Sequence, residues 1–202
     1  MMCEYIDSNV FCELNIGDSQ QINKKQPQNA VIISKCLTNG TEILLIQLDK
    51  SYKTGTIGVV EGEKISKAFE YATKKKLPVV LVVASGGIRV NEGTLALMQM
   101  AKMAAAVKQH SAKGLLYISV VTTPTLGGAS ASFVSLADII IAEKDAIYGF
   151  SGRRIIEDTT HEQLPEDFQT AEYAKRHGMV DVVTDKSHIK QIITNLLRIH
   201  RK

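Results

Sequence analysis

The chain has 202 residues, of which 45% are hydrophobic and 22% are charged, a composition typical of a globular protein that can bury a full core in one domain. The formal net charge is only +3, and basic and aromatic residues do not cluster together, so the sequence does not indicate a nucleic-acid partner. The longest uninterrupted apolar stretch, residues 79–84, is far too short to span a membrane.

The first 28 residues differ in composition from the rest. Their acidic start carries no basic segment, which predicts a cytoplasmic protein without a secretory signal. Residues 18–29 are polar and lack periodicity, so we predict a polar N-terminal arm at 1–28 and a single domain at 29–202. The cysteines, Cys3, Cys12 and Cys36, have no close-paired spacing. We therefore predict free thiols and no bound zinc.

From Ala30 onward, apolar runs alternate with amphipathic segments. Strands are predicted, in chain order, at 30–36, 42–49, 79–84, 115–121, 137–142 and 146–150. Helices are predicted at 61–76, 91–110, 129–136, 154–158, 168–176 and 187–200, with Asn91 as an N-cap. Strands that alternate with helices indicate an α/β layer fold with parallel strands.

Two Gly-Gly pairs stand between a central strand and a helix. Gly86-Gly87 follows the strand at 79–84, and Gly127-Gly128 follows the strand at 115–121. Paired glycines allow a sharp turn and a close approach of a ligand to the main chain. The following helix then presents unpaired N–H groups. Because ligands of parallel sheets bind at the carboxyl ends of strands, we predict an oxyanion site at these turns.

Motifs of other enzyme classes are missing from the sequence. It has no dinucleotide fingerprint, no P-loop and no Gly-x-Ser-x-Gly elbow, and no acid/base pair stands out. Ser130 and Ser132 follow the second Gly-Gly pair, where small residues favour close packing over a nucleophile. Arg89 and Arg154 each follow a glycine turn. They fit either a phosphate or carboxylate ligand or a structural ion pair, and both alternatives stay open.

The motifs resemble one family in register. Residues 84–93, Ala-Ser-Gly-Gly-Ile-Arg-Val-Asn-Glu-Gly, resemble the SASGGARMQEG stretch of the β subunit of acetyl-CoA carboxylase carboxyltransferase. Residues 97–102 are similar to its SLMQMAK, and 117–133 to its YISVLTDPTMGGVSASF. The similarity continues at 164–169, Leu-Pro-Glu-Asp-Phe-Gln. It extends from about Ala30 to the C-terminus.

This resemblance implies a crotonase/ClpP-type spiral of ββα units and a carboxyltransferase. The implied reaction moves a carboxyl group from carboxybiotin to acetyl-CoA and forms malonyl-CoA for fatty acid biosynthesis. Biotin is implied on a separate biotin carboxyl carrier protein. A carboxyltransferase α-type subunit is implied as the partner in an α₂β₂ heterotetramer. The apolar surface of the helix at 95–107 is broader than one core face needs, which indicates a subunit contact.

The resemblance also implies site residues. Gly127 and Gly128 would hold the enolate oxygen of the thioester. The implied acyl-CoA-binding residues are Ser85, Gly86, Gly87, Arg89, Gly55, Gly149, Gly152 and Arg154.

The sequence departs from the family in four places. The family's four-cysteine zinc ribbon has no counterpart here, and the helical lead-in after it is shortened. Residues 52–59 replace a loop with two adjacent glycines, and the family's Gly-Pro-Arg is Gly152-Arg153-Arg154. Two alternatives therefore stand beside the transferase. One is a crotonase-type acyl-CoA decarboxylase or hydratase subunit, and the other is a non-catalytic scaffold.

Overall fold

A computed structural model describes Ile6, residues 11–14 and residues 29–200. Seven strands within these residues form one mixed sheet, in which strand order follows chain order. They are β1 (Phe11–Glu13), β2 (Val31–Thr38), β3 (Thr41–Leu48), β4 (Val79–Ser85), β5 (Tyr117–Thr125), β6 (Ile139–Glu143) and β7 (Val182–Thr184). The pairs β1–β2 and β2–β3 are antiparallel, and every later pair is parallel.

Helical segments connect the parallel strands, and one further helix follows the last strand. They are α1 (Val59–Lys75), α2 (Thr94–Ser111), α3 (Gly127–Ser130), α4 (Arg153–Thr160), α5 (Ala171–Arg176) and α6 (Lys186–Ile199). A parallel pair needs such a crossover because the chain must return to the same end of the sheet. The predicted α/β class with parallel strands is confirmed.

Two apolar layers cover the sheet, one on each face. On one face Phe69 of α1 and Met103 of α2 are fully buried, and the Phe69 ring stands edge-on to Tyr117 of β5 at 4.9 Å. On the other face α6 buries an apolar stripe that includes Ile189 and Ile193. Burial of each such side chain contributes about 1.5–3 kcal/mol. Since β4 and β5 lie between both layers, their carboxyl ends are held in a rigid frame.

Several local predictions need correction. Residues 90–92 form a 3₁₀ turn and Gly93, with φ of 70°, is the N-cap of α2, so Asn91 is not its N-cap. Residues 146–150 form no strand, but Ile147 and Tyr148 make isolated bridges to Thr170 and Thr125. The strand β7 was not predicted. It is a three-residue edge strand that exists only through its pairing with β6.

Most of the predicted N-terminal arm, including the side chains of Cys3 and Cys12, lies outside the described residues. Within 1–28, β1 pairs with β2, and Ile6 is buried in the apolar layer beneath α6. These parts therefore pack onto the domain, and the boundary at residue 28 stays a prediction. Within the described part of the chain, no helix is both long and apolar enough to cross a membrane.

Candidate active site

Strands β4 and β5 end side by side, and a Gly-Gly turn follows each of them. Ser85 closes β4 and Thr125 closes β5, and the two residues are partners in the parallel register. Leu126 N–H donates a hydrogen bond to the Ser85 carbonyl at 2.9 Å. A Cβ atom on Gly87 would lie only 3.2 Å from Gly127 Cα. The two turns are therefore in direct contact at the carboxyl edge of the sheet.

Hydrogen bonds hold the first turn against the loop before α1. Gly86 N–H donates to the Thr54 carbonyl at 3.1 Å. The Ser85 hydroxyl donates to the Gly55 carbonyl at 2.7 Å and accepts Gly87 N–H at 3.1 Å. These bonds use the N–H groups of both glycines. Ser85, Gly86 and Gly87 therefore shape the turn from within.

Two other N–H groups at this junction stay without an acceptor. Gly127 N–H donates to the Phe150 carbonyl at 2.8 Å, which leaves it no capacity for a ligand. Among the described residues, the N–H groups of Gly128 and Ile88 have no hydrogen-bond acceptor. One lies on each of the two touching turns. The geometry therefore favours Ile88 and Gly128 as the donor pair, whereas the sequence indicated Gly127 and Gly128.

Close packing explains why two of the site glycines carry no side chain. A Cβ atom on Gly128 would lie 2.3 Å from Ile88 Cγ1 and 2.9 Å from Met100 Sδ. Gly55 has φ of 66°, and its Cβ atom would lie 2.2 Å from the Ala84 carbonyl oxygen. Real Cβ atoms do not come so close to other atoms, so both positions require glycine. Gly55 thereby lets the loop before α1 lie flat on β4.

The Arg89 side chain lies beneath the first turn and is only 9% exposed. Its Nε–H donates to Thr56 Oγ1 at 3.2 Å. Its Nη1 donates to Glu61 at 3.2 Å and to Glu92 at 2.7 Å. Its Nη2 donates to the Thr56 carbonyl at 2.8 Å and to Glu61 at 3.0 Å. All five guanidinium N–H groups are used by protein acceptors.

The two carboxylates that hold Arg89 also bind the start of α1. Glu61, buried to 1% exposure, accepts Gly58 N–H at 3.0 Å, and Glu92 accepts Val59 N–H at 2.8 Å. The hydrogen bond from Arg89 lowers the pKa of Glu92, and the bond from Val59 adds to this effect. Burial opposes the charge of Arg89, but its bonds to both carboxylates raise its pKa overall. The geometry favours a structural ion pair, and the substrate contact of Arg89 stays a prediction.

Three further predicted residues lie on the segment after β6. Gly149 N–H donates to the Thr125 carbonyl at 3.2 Å, so Gly149 lies directly behind the second turn. Gly152 is the N-cap of α4. The Arg154 side chain is 92% exposed, and Asp158, at 3.6 Å, is its ionic partner in the described part of the chain. The structure therefore brings Gly149 to the junction but not Arg154.

The serines after the second turn bond to the backbone. Ser130 Oγ lies 2.8 Å from the Gly127 carbonyl and 2.5 Å from the Gly149 carbonyl. Ser132 Oγ–H donates to the Gly128 carbonyl. These contacts favour the packing interpretation over a nucleophile. Over the described residues, no group of three His, Cys, Asp or Glu side chains could hold a metal ion.

Apolar side chains remain exposed around the junction. Leu95 and Met98 in the first turns of α2 are 64% and 62% exposed, and Phe150 is 62% exposed. In contrast, Met103 and Val107 of the same helix are buried in the core. The exposed apolar side chains of the helix at 95–107 therefore lie in the N-terminal half of α2, and the subunit contact stays a prediction.

A family profile and curated relatives match most of this chain. The sequence profile of the carboxyl transferase domain matches residues 5–197. The chain is 46% identical over 186 residues to the acetyl-coenzyme A carboxylase carboxyl transferase subunit beta of Prochlorococcus marinus subsp. pastoris, covering 90% of this chain and 64% of that protein. It is also 46% identical over 201 residues to the chloroplastic subunit beta of Chlorella vulgaris, covering 98% of this chain and 48% of that protein. This chain thus spans only part of the length of these relatives.

Solved structures share the fold. Transcarboxylase 12S, crystallised with methylmalonyl-coenzyme A and methylmalonic acid, superposes with a TM-score of 0.85 at 24% identity, over 97% of this chain and 40% of that chain. A Pseudomonas malonate decarboxylase hetero-dimer gives a TM-score of 0.81 at 21% identity, over 97% of this chain and 83% of that chain. The predicted crotonase-type α/β fold is confirmed. Because the profile covers nearly the whole chain, the resemblance seen in the motifs is also confirmed, and the chain belongs to the carboxyl transferase domain family.

Proposed function

We propose that this chain is the acyl-CoA-binding, β-type subunit of a biotin-dependent acetyl-CoA carboxyltransferase that produces malonyl-CoA. The observation that carries the proposal is the pair of unpaired N–H groups, Ile88 and Gly128, on two touching glycine turns at the carboxyl edge of the sheet. The family membership supplies the reaction class.

In the proposed reaction, the thioester oxygen of acetyl-CoA accepts hydrogen bonds from the N–H groups of Ile88 and Gly128. When the methyl carbon loses a proton, negative charge develops on that oxygen, and preorganised donors stabilise it without reorganisation. The resulting carbanion would form the new carbon–carbon bond to the carboxyl carbon, whose bond to the ring nitrogen of carboxybiotin would break. The turn bonds of Ser85, Gly86 and Gly87 keep the first donor in place, since they fix the backbone on either side of it.

Biotin on a separate carrier protein would supply the carboxyl group, and its released ring nitrogen would accept the acyl proton. We propose that the biotin side of the site is contributed by an α-type partner subunit, as the family resemblance implies. Leu95 and Met98 are exposed in the helix that follows the first turn, and Phe150 is exposed while its carbonyl accepts Gly127 N–H. These apolar side chains fit such a contact.

Gly128→Ala in the assembled complex tests this proposal. The added methyl would collide with Ile88 Cγ1 and Met100 Sδ and displace the two donors. Loss of one oxyanion donor lowers kcat by about 10²–10³-fold. We expect a loss of that size in malonyl-CoA formation, measured with carboxylated carrier protein. The control is Gly40→Ala in the β2–β3 hairpin, where the added methyl meets no atom within 4 Å. Its only expected cost is local backbone strain from the φ of 74°, away from the junction.

The same preparation separates the alternatives. Release of CO₂ from malonyl-CoA in the absence of biotin would favour the decarboxylase subunit. Failure of acetyl-CoA to bind, measured by calorimetry with the α-type subunit present, would favour the scaffold. A Gly128→Ala complex as active as the Gly40→Ala complex would overturn the assigned donor. The family match favours the transferase over both alternatives.

A further inference from the structure

We propose that Gln169 is a positioning residue that braces the second glycine turn from behind and thereby fixes the Gly128 donor. This inference rests on the proposed function for its catalytic consequence, but its structural part stands on contacts of this chain alone. Gln169 ends the Leu-Pro-Glu-Asp-Phe-Gln motif, for which the site described above gives no role. Its side chain touches none of the reacting groups.

Gln169 is an unusual residue in two respects. It is polar yet only 6% exposed, and its φ of 67° lies in the left-handed region that non-glycine residues rarely adopt. Residues held in such conformations persist when surrounding contacts over-determine them, and they concentrate at functional sites. The contacts of Gln169 therefore indicate what its conformation serves.

Those contacts all go to one segment, residues 148–151. The Gln169 side-chain amide donates to the Ser151 carbonyl at 2.6 Å, and the Gln169 carbonyl accepts Tyr148 N–H at 2.8 Å. Between these bonds its side chain packs on Gly149, where a Cβ atom would lie only 2.4 Å from Gln169 Nε2. Gln169 thus contacts the segment at three points, Tyr148, Gly149 and Ser151.

The braced segment in turn holds the second turn. Its Phe150 carbonyl accepts Gly127 N–H at 2.8 Å, and its Gly149 carbonyl lies 2.5 Å from Ser130 Oγ. These two bonds hold the turn on both sides of Gly128, at Gly127 and at Ser130. A shift of the segment would move both bonds, and with them the direction of the Gly128 N–H group. Misplacement by about 1 Å can cost roughly 10²-fold in rate.

Gln169→Met tests the brace, because methionine keeps the length of the side chain but cannot donate to the Ser151 carbonyl. The matched control is Gln163→Met, the same substitution at an exposed position of the preceding loop. In the assembled complex we expect Gln169→Met to lower kcat by about 10–10²-fold. The KM for acetyl-CoA should stay close to its original value, since ground-state binding is not altered. Gln163→Met should leave both parameters unchanged.

Hydrogen exchange of the full chain provides a readout that does not depend on activity. The Gly127 amide proton should exchange at least tenfold faster in Gln169→Met, because its acceptor Phe150 is released, while amides of β5 such as Ile118 keep their protection. Unchanged exchange at Gly127 would overturn the brace. Faster exchange at Gly127 with unchanged kcat would overturn the catalytic consequence. Equal loss of protection at Gly127 and Ile118 would indicate a general structural role and also overturn the proposal.

The two proposals fail in distinguishable ways. A wild-type complex that forms no malonyl-CoA contradicts the proposed function, whereas exchange at Gly127 still decides the brace. Gly149→Ala offers an independent approach, because its methyl would push on Gln169 from the opposite side. If both residues act through one contact, the Gly149→Ala/Gln169→Met variant should lose little more activity than the worse single variant. If the losses of activity in the two single variants add up fully in the double variant, the two residues do not act through one contact.

Discussion

At the scale of single residues, the charged groups beneath the first turn bind one another and the protein backbone. Arg89 satisfies five donors with Thr56, Glu61 and Glu92, and both carboxylates continue to backbone N–H groups at the start of α1. The cluster therefore joins the loop before α1 to the turn that carries Ile88. A buried pair of this kind contributes to stability mainly because either charge alone would be costly to bury.

Arg89→Met is expected to destabilise the fold strongly. It would leave the buried Glu61 carboxylate without its cation, and removal of one partner of a buried ion pair costs about 3–5 kcal/mol. The free energy of unfolding in urea measures this loss. Arg154→Met is the matched control and should change stability by about 0.5 kcal/mol or less, because that side chain is 92% exposed. Unchanged stability with lost acetyl-CoA affinity would instead support the substrate contact predicted from the sequence.

At the scale of secondary-structure elements, the sequence predicted what depends on local pattern. The apolar run of β4, in which all seven residues are buried, and the amphipathic helices α1 and α6 were located to within a few residues. The start of α2 was misplaced, because Asn91 is a common N-cap type while the observed break is made by the positive φ of Gly93. The short strand β7 has no pattern of its own.

In the candidate site, too, the features that depend on local sequence pattern were predicted, and those that depend on distant contacts were not. The two Gly-Gly pairs, each after a central strand, sufficed to predict that both turns lie at the carboxyl ends of the parallel strands. Which N–H groups stay unpaired depends on partners from distant parts of the chain. Gly127 is bound by Phe150, and the bridge between Thr125 and Tyr148 sets that segment's position. No local signal in the sequence indicates these contacts. The sequence therefore pointed to the unpaired N–H group of Gly128 but not to that of Ile88.

His110 connects the end of α2 to the start of β4 and makes this contact sensitive to pH. Its Nε2 lies 3.0 Å from the Leu77 carbonyl, and its Nδ1 is buried without a hydrogen-bond partner among the described residues. Burial lowers the pKa of His110 below its ordinary value of 6.5, although the Leu77 carbonyl and Asp138 oppose the shift. The folded state therefore binds this proton less readily than the unfolded state.

Stability should accordingly be complete above pH 6.5 and decline as the pH falls towards the lowered pKa of His110. The slope contributed by one such group is at most about 1.4 kcal/mol per pH unit. His110→Gln removes the titration and should flatten the fall in thermal midpoint between about pH 7.5 and 5.5. His188→Gln, an exposed control, should keep the wild-type slope. Identical slopes in wild type and His110→Gln would show that other groups control acid stability.

At the scale of the whole molecule, the proposed partner subunit would cover the exposed apolar side chains in the first turns of α2. Met100 lies against Gly128, since a Cβ atom added to Gly128 would be 2.9 Å from Met100 Sδ. Met98 and Leu95 of the same helix are exposed. A partner that covers these side chains would also close the junction of the two turns from solvent. Exclusion of water strengthens electrostatic stabilisation of a developing oxyanion. Assembly and catalysis are therefore expected to depend on the same surface.

Met98→Glu should weaken assembly with the α-type subunit, because it places a charge in an apolar contact. Sedimentation velocity of the mixed subunits should show the hetero-oligomer for wild type and mainly separate subunits for Met98→Glu. Ile199→Glu is the matched control, since Ile199 is 71% exposed at the end of α6 on the other face of the sheet. It should assemble like wild type, which excludes a general effect of added charge. Assembly of Met98→Glu at wild-type affinity would place the subunit contact elsewhere, and a fully active wild-type monomer would contradict the need for a partner.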